Sequence, residues 1–245
     1  MNDRPATDGY APCVDTRLRE SSEWSCLTEA EVELFNRRVL CHKYGVNETI
    51  FMEGDPCKGL YFVESGLVGV RKTDVDGQSA LVRLAGGGDT LGYRPFLAKQ
   101  SHRASAEVIE EAKVCYIDAA TARQLLYENH ELGLRFLERT ARALGESEDR
   151  LFQLAALNVH VRVIHLLVLL HDRWGRPVGD GAVDIEIPLT RHDLASMVGA
   201  RPETVSRAIR YLENEGLARF RGRNVHIEQF DRLAEELHAN LTELH

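Results

Sequence analysis

The sequence predicts an α+β protein in which a small β-roll (jelly roll) precedes one long helix and a C-terminal helix-turn-helix with a hairpin wing. Three observations lead to this prediction. Short β-prone runs broken by Gly, Asp and Pro fill residues 44–118, which is typical of a small roll. Apolar residues then recur at alternating intervals of three and four between residues 134 and 155. Two short helical patterns and a hairpin follow in residues 188–227.

The length of 245 residues, with 44% hydrophobic and 28% charged residues, allows two modest globular domains. We divide the chain into an N-terminal tail (1–26), a β-roll (27–129), a long helix (130–157) and a helix-turn-helix domain (158–245). The first twenty residues are polar, and no apolar run is long enough to cross a bilayer. We therefore expect a cytoplasmic protein that does not enter a membrane.

The local signals of a helix-turn-helix lie between residues 188 and 227. Thr190, with Asp193 three positions later, can cap the first helix. Gly199 supplies the turn, and Pro202 suits the first position of the second helix, where its missing N–H needs no partner. Upstream, the run RPVGDGAVDIEIPL is interpreted as a loop and one strand.

The second helix separates by period into two faces. Val205, Ile209 and Leu212 point inward at spacings of four and three. The opposite face is polar and holds Glu203, Ser206, Arg207 and Arg210. A major groove admits one helix, whose first turns reach the base edges, so this face is predicted to read DNA. The alternative is a solvated amphipathic helix pair.

The chemistry of these side chains suits bases and phosphates. Arg207 can donate two hydrogen bonds to guanine, and Glu203 can accept one from the amino group of cytosine. The candidate DNA-binding residues are Arg191, Arg201, Glu203, Thr204, Ser206, Arg207, Arg210, Arg221 and Arg223. Residues 190–227 contain seven arginines and four acidic residues, a net charge of +3 that leaves −11 for the rest of a chain whose total is −8. An acidic body therefore presents one basic module.

The run ETVSR at residues 203–207 resembles the Fnr branch of the Crp/Fnr superfamily of bacterial transcription regulators, in which Glu, Ser and Arg at this spacing read DNA. The cyclic-AMP branch usually has Gly where Ser206 stands. The runs at 53–55, 60–63 and 88–89 resemble the cyclic-nucleotide-binding-type roll of the same superfamily. The resemblance implies a regulator that binds double-stranded DNA at TTGAT-like inverted half-sites and acts with RNA polymerase.

The long helix has a seam typical of a coiled coil, with one polar break at Glu148. The residues of this seam are Leu134, Leu137, Ala141, Leu144, Leu151 and Ala155. Because a helix-turn-helix protein of this kind usually reads a palindrome as a two-fold pair, we interpret the seam as a homodimer interface. The alternative is a helix that packs only on its own roll.

The resemblance also locates a candidate ligand pocket. In the cyclic-AMP branch a Gly-Glu pair holds the ribose, and an Arg followed by Ser or Thr holds the phosphate. Here Gly92 is followed by Tyr93, and Arg103 is separated from Ser105 by an alanine. The missing Glu favours a signal other than a cyclic nucleotide, which stays an alternative.

Five cysteines outside a secretory context argue against a disulfide framework. In the Fnr branch, four thiolates hold an oxygen-labile iron–sulfur cluster. Cys115 falls where that branch has its internal ligand, although the tight N-terminal trio of cysteines is absent. The candidate metal ligands are Cys13, Cys26 and Cys115, with Cys41 or Cys57 as the fourth. The cofactor is left open between such a cluster and a haem bound by His42, His102 or a cysteine, and thiol redox sensing without a metal is a further alternative.

The sequence contains no phosphate-binding loop, zinc-protease motif or nucleophile elbow, so we expect no enzyme. We predict a dimeric DNA-binding transcription regulator that responds to redox state, oxygen or another gas. The alternative is a regulatory protein that binds a cyclic nucleotide or another small ligand and does not act through DNA.

Overall fold

The computed structural model describes residues 22–242, which divide into two compact units. The first unit contains residues 22–79 together with Arg83–Arg142, and the second contains Ala80–Val82 together with residues 143–242. Among the helices of the described residues, none is both long enough and apolar enough to span a membrane.

A six-stranded sheet forms the body of the first unit within the described residues, and it confirms the predicted roll. Its strands are β1 (Leu40–Tyr44), β2 (Thr49–Phe51), β3 (Gly59–Thr73), β4 (Ser79–Gly86), β5 (Thr90–Leu91) and β6 (Ser105–Asp118). The order is β1-β6-β3-β4, while β2 pairs with β6 and β5 pairs with β3. The long strands β3 and β6 are antiparallel, and their register shifts between Val63 and Val68. Such bulges bend a sheet and allow it to curl into a roll.

Short helices flank this sheet: a 3₁₀ turn (Glu23–Cys26), α1 (Glu29–Arg38), α2 (Tyr93–Ala98) and α3 (Ala119–Glu128). Thr28 and Glu31 form a capping box at the start of α1, a pattern of Thr followed three positions later by Glu. Asp118 caps α3 by accepting hydrogen bonds from two backbone N–H groups. The core of the unit includes Trp24, Phe35, Leu60, Phe62, Tyr93, Cys115, Leu132 and Phe136.

The long helix α4 (His130–Ala156) has two different sides. Leu132 and Phe136 are buried in the core of the first unit. Four leucines of the predicted seam are instead 55–67% exposed on the other side of the helix, namely Leu134, Leu137, Leu144 and Leu151. Ala141 and Ala155 are exposed on the same side.

The second unit consists of helices and one small sheet. The helices are α5 (Val159–Trp174), α6 (Arg191–Val198), α7 (Pro202–Asn214) and α8 (Phe230–Thr242), and the strands are β7 (Gly175–Gly179), β8 (Ala182–Glu186), β9 (Arg219–Arg221) and β10 (Asn224–Ile227). The strand order is β7-β8-β10-β9. The interpretation of RPVGDGAVDIEIPL as a loop and one strand was wrong, since β7 and β8 form a hairpin there. Strand β7 was not predicted because it contains Pro177, and proline is excluded from inner strands. Proline is accepted at a sheet edge, where β7 lies.

Candidate nucleic-acid interface and sensor site

Helix α7 presents its polar face to solvent. Thr190 and Asp193 form a capping box at the start of α6, and Pro202 opens α7 as predicted. The side chains that point into the unit are Val205, Ala208, Ile209 and Leu212, all buried. The candidate base-reading residues are exposed on the opposite side, and they are Glu203, Ser206, Arg207 and Arg210. At 3.6 residues per turn these four side chains lie within about 100° of arc, which is the width of one groove-facing stripe.

Neighbouring side chains extend this face. Arg201 is the exposed N-cap residue of α7, and Thr204 is half-buried beside the stripe. The Ser206 hydroxyl donates to the Pro202 carbonyl at 2.9 Å, so its outward capacity is that of an acceptor. The stripe therefore offers both donors and acceptors to base edges.

The hairpin of β9 and β10 forms the basic wing. Gly222 has a φ of +63° at its tip, and the exposed side chains of Arg221 and Arg223 flank it. The Arg191 guanidinium lies 5.2 Å from the centre of the Phe220 ring, so α6 brings a further cation to the base of the wing. These arginines add positive charge to the candidate interface.

The residues of the predicted ligand pocket differ in burial and in backbone conformation. Gly92 has a φ of +79° and precedes α2, whereas Tyr93 is almost fully buried in the core. Arg103 is exposed, and the Ser105 hydroxyl accepts a hydrogen bond from the Glu53 N–H at 2.9 Å.

A polar cluster that the sequence analysis missed lies beside Tyr93. The Arg139 guanidinium bonds the Glu23 carboxylate and, at 2.6 Å, the Asp89 carboxylate. Burial alone would lower the pKa of Arg139, but the two carboxylates raise it. Thr90 donates to Glu23 at 3.2 Å and accepts from the Trp24 indole N–H at 2.9 Å. We call this group the Arg139 cluster.

The Arg139 cluster attaches the 3₁₀ turn to α4. Trp24 packs edge-on against Phe136 with 5.5 Å between ring centres, and Arg139 lies 5.1 Å from the centre of the Tyr93 ring. One signal of this cluster was present in the sequence. Arg139 continues the buried positions 132 and 136 at a spacing of three, so a charged residue falls on the apolar side of the helix.

Two family models match this chain. The model for the cyclic nucleotide-binding domain matches residues 41–129, and that for the Crp-like helix-turn-helix domain matches residues 161–236. A CRP-like cAMP-activated global transcriptional regulator from Mycobacterium tuberculosis is 31% identical over 186 residues, which are 76% of this chain and 83% of that protein. The chain belongs to the Crp/Fnr family of transcription regulators.

Other Crp/Fnr proteins agree with this assignment. The cAMP-activated global transcriptional regulator CRP of Salmonella typhimurium is 26% identical over 81% of this chain and 94% of its own length. The solved structure of FixK2 from Bradyrhizobium japonicum superimposes with a TM-score of 0.69 at 25% identity, covering 80% of this chain and 96% of that one. The helix-turn-helix and the roll are therefore confirmed as a Crp/Fnr architecture.

The cysteines of this Crp/Fnr protein are not arranged as the predicted ligand set. Cys41 and Cys115 lie opposite each other on β1 and β6 and are joined by a disulfide, a pairing that the argument against a disulfide framework did not anticipate. The pairing is a property of strand register, because directly opposed residues on antiparallel strands bring their Cβ atoms together. While bonded, neither sulfur is available as a thiolate ligand.

The remaining cysteines are separate. Cys13 lies outside the described residues. Cys26 and Cys57 are half-buried free thiols, and burial raises the pKa of each, which disfavours the thiolate. In residues 22–242 no three His, Cys, Asp or Glu side chains come together as a metal site. Of the two candidate haem ligands, His102 is buried and stacks on Phe51 with 3.9 Å between ring centres, while His42 packs on Tyr44. The described donors therefore do not fit a cluster as they stand.

Proposed function

We propose that this Crp/Fnr protein is a cytoplasmic homodimer that reads TTGAT-like inverted half-sites in double-stranded DNA and acts on RNA polymerase rather than as an enzyme. The observation that supports the reading role is the exposed stripe of α7, in which an acceptor (Glu203) and forked donors (Arg207, Arg210) lie opposite a buried apolar face. The arginines of the wing and of α6 supply phosphate contacts around it.

Replacing Arg207 tests the reading role. A bidentate arginine contact discriminates bases by roughly 1–3 kcal/mol. Arg207→Ala should therefore weaken binding to a duplex with two TTGAT half-sites by about 5- to 150-fold, with little change on a scrambled duplex of equal length. Gel-shift titration measures both affinities.

The matched control is Arg176→Ala, which removes one exposed arginine from β7, the strand at the far edge of the small sheet. Arg176→Ala should leave the ratio of the two affinities unchanged. If Arg207→Ala bound the half-site duplex as tightly as the parent, the groove-facing assignment of α7 would be wrong.

The exposed leucines of α4 support the homodimer. Burying a leucine contributes roughly 1.5–3 kcal/mol, so a stripe of four would strongly favour a second copy of the same helix. In Leu144→Asp/Leu151→Asp the seam would carry unpaired charges. Sedimentation should show monomer, and the half-site duplex should no longer be bound cooperatively. Leu97→Asp, at a 45% exposed position on α2, is the control that should stay dimeric. A double variant that stays dimeric would exclude this seam.

The proposed signal is redox state, oxygen or another gas. Cys115 lies in the core cluster that holds Leu132 and Phe136 of α4, and Cys26, Cys41 and Cys57 pack against the same cluster. A chemical change at these sulfurs would therefore alter the packing around the first half of α4.

Titrating the half-site duplex with oxidised and with dithiothreitol-reduced protein tests this signal, together with visible spectra and iron, sulfide and haem assays of anaerobic protein. We expect a change in affinity that Cys115→Ser abolishes. If the affinity did not change on reduction and the anaerobic protein were colourless and free of iron, the proposed redox or gas signal would be rejected. A response to added cAMP would favour the nucleotide alternative.

A further inference from the structure

The turn of the helix-turn-helix is held by side chains from α5 and from the part of α4 after Arg142, which belongs to the same unit. The last four carbonyl groups of an α-helix have no partner within the helix and must find one elsewhere. In α6 the first two of these carbonyls, at Ala195 and Ser196, accept from the backbone N–H of Gly199. The other two accept from arginines. Arg150 of α4 donates to the Met197 carbonyl at 2.5 Å, and Arg162 of α5 donates to the Val198 carbonyl at 2.6 Å.

The same end of α6 is in close contact with α4. Gly199 has a φ of +61°, and a Cβ atom placed there would lie 2.4 Å from a methyl carbon of Leu154. Beside this contact, a ring nitrogen of His165 lies 3.0 Å from the Gln153 amide oxygen, which joins α5 to α4. Guanidinium groups also interact favourably with the negative end of a helix dipole. The backbone at the end of α6 is therefore bonded to both α4 and α5, and Gly199 lies against Leu154.

A cavity of about 370 Å³ lies beside the two arginines, lined among others by Leu166, Leu169 and Met197. Hydrogen bonds from charged donors are stronger than those between neutral groups, so the guanidinium groups themselves keep the end of α6 in place.

We infer that Arg150 and Arg162 are positioning residues for DNA reading: they hold the end of α6, and with it the turn that leads into α7, on the helix that carries the seam. We call this pair the arginine clamp. Neither residue lies on the exposed stripe of α7, so the clamp acts through the orientation of α7 rather than by touching DNA. The inference rests on the proposed reading role of α7.

The test compares specific and non-specific binding by the full chain. Arg150→Met and Arg162→Met keep the apolar stem of each side chain and remove the donors. Each should weaken binding to the half-site duplex about tenfold, since the charge-assisted hydrogen bonds of that guanidinium are lost, for Arg150 those to Met197 and Val82 and for Arg162 those to Val198 and Gly199, and change binding to the scrambled duplex by less than about threefold. Arg150→Lys should recover part of the loss, because an ammonium can still donate to one carbonyl.

The charge-matched control is Arg142→Met, which removes a 79% exposed arginine from the same helix and should leave both affinities unchanged. Amide hydrogen exchange at residues 197–200, measured without DNA, should accelerate in the clamp variants while global urea unfolding stays near that of the parent. If Arg150→Met does not fold, Arg150→Lys and Arg162→Met provide the same comparison.

Two results would overturn the clamp. One is a set of clamp variants that discriminate the two duplexes as the parent does. The other is an equal loss on both duplexes, which would indicate a simple charge effect. If the parent itself did not prefer the half-site duplex, the proposed function would fail instead, and the hydrogen exchange of residues 197–200 would still decide whether the clamp holds the turn.

Discussion

Removing the Arg139 guanidinium should leave a buried carboxylate of the first unit without its positively charged partner. The Glu23 side chain is only 8% exposed and the Arg139 side chain 19%, so this pair is shielded from solvent. Breaking a buried pair by deleting one partner typically costs about 3–5 kcal/mol. The Asp89 side chain is 33% exposed, so water will solvate its carboxylate once Arg139 is removed, and the loss of this second pair adds little to the loss of unfolding free energy. Thr90 still donates to Glu23. We therefore expect Arg139→Met to lower the free energy of unfolding by about 3 kcal/mol.

Fluorescence of Trp24 is the natural assay, since this indole donates to Thr90 within the cluster. The chain has two tryptophans, so Trp174→Phe leaves Trp24 as the only reporter. Urea unfolding of Arg139→Met in that background should show an earlier transition and a red-shifted native spectrum.

Two further variants make the assay decisive. Arg139→Met/Glu23→Gln removes both charges and should recover much of the loss, because no charge is then stranded. Arg135→Met removes a more exposed arginine that bonds Glu131 and Ser25, and this variant should lose less than about 1 kcal/mol of unfolding free energy. If Arg139→Met unfolded at the same urea concentration as Arg135→Met, the reasoning from burial would be refuted.

Three other outcomes are expected. Burial lowers the pKa of His102, so the unfolded chain binds a proton that the folded chain does not. Thermal stability should therefore decline as the pH falls from 7 to 5, and His102→Phe should flatten that decline. In urea unfolding, Gly199→Ala should lower the unfolding free energy by roughly 1–2 kcal/mol because of the left-handed backbone, and by a further amount because the new methyl group meets α4. Gly216 has a similar φ and open space around it, so Gly216→Ala should show the backbone contribution alone. Reduction of the Cys41–Cys115 disulfide, which closes a loop across 74 positions, should lower the unfolding free energy by roughly 2–4 kcal/mol, and Cys41→Ser should make the reductant ineffective.

The features that could be predicted from the sequence are those set by residues a few positions apart. The capping boxes at Thr28 and Thr190 and the proline that opens α7 each depend on neighbours within four positions. The buried face of α7 follows from helical period, and the exposed stripe follows with it. The position of the candidate reading face therefore depends on local sequence alone.

The features that could not be predicted depend on contacts between distant segments. The register of β1 and β6 places Cys41 opposite Cys115, and no pattern near either cysteine fixes that register. Strand β7 was missed because its proline argues locally against a strand, whereas its place at the sheet edge makes proline acceptable. Glu23 lies in a stretch without periodicity, and its partner Arg139 is 116 positions away.

The arginines of α4 show why side-chain chemistry matters here beyond helical pattern. On a helix surface an arginine normally indicates a solvated position, yet the planar fork of Arg139 bonds two carboxylates from different segments. Arg150 reaches a backbone carbonyl 47 positions away at the end of α6. A lysine at position 139 has a single point charge on a flexible stem and would hold one carboxylate well but not both in fixed geometry. Arg139 therefore joins the 3₁₀ turn to α4, and Arg150 joins the end of α6 to the same helix.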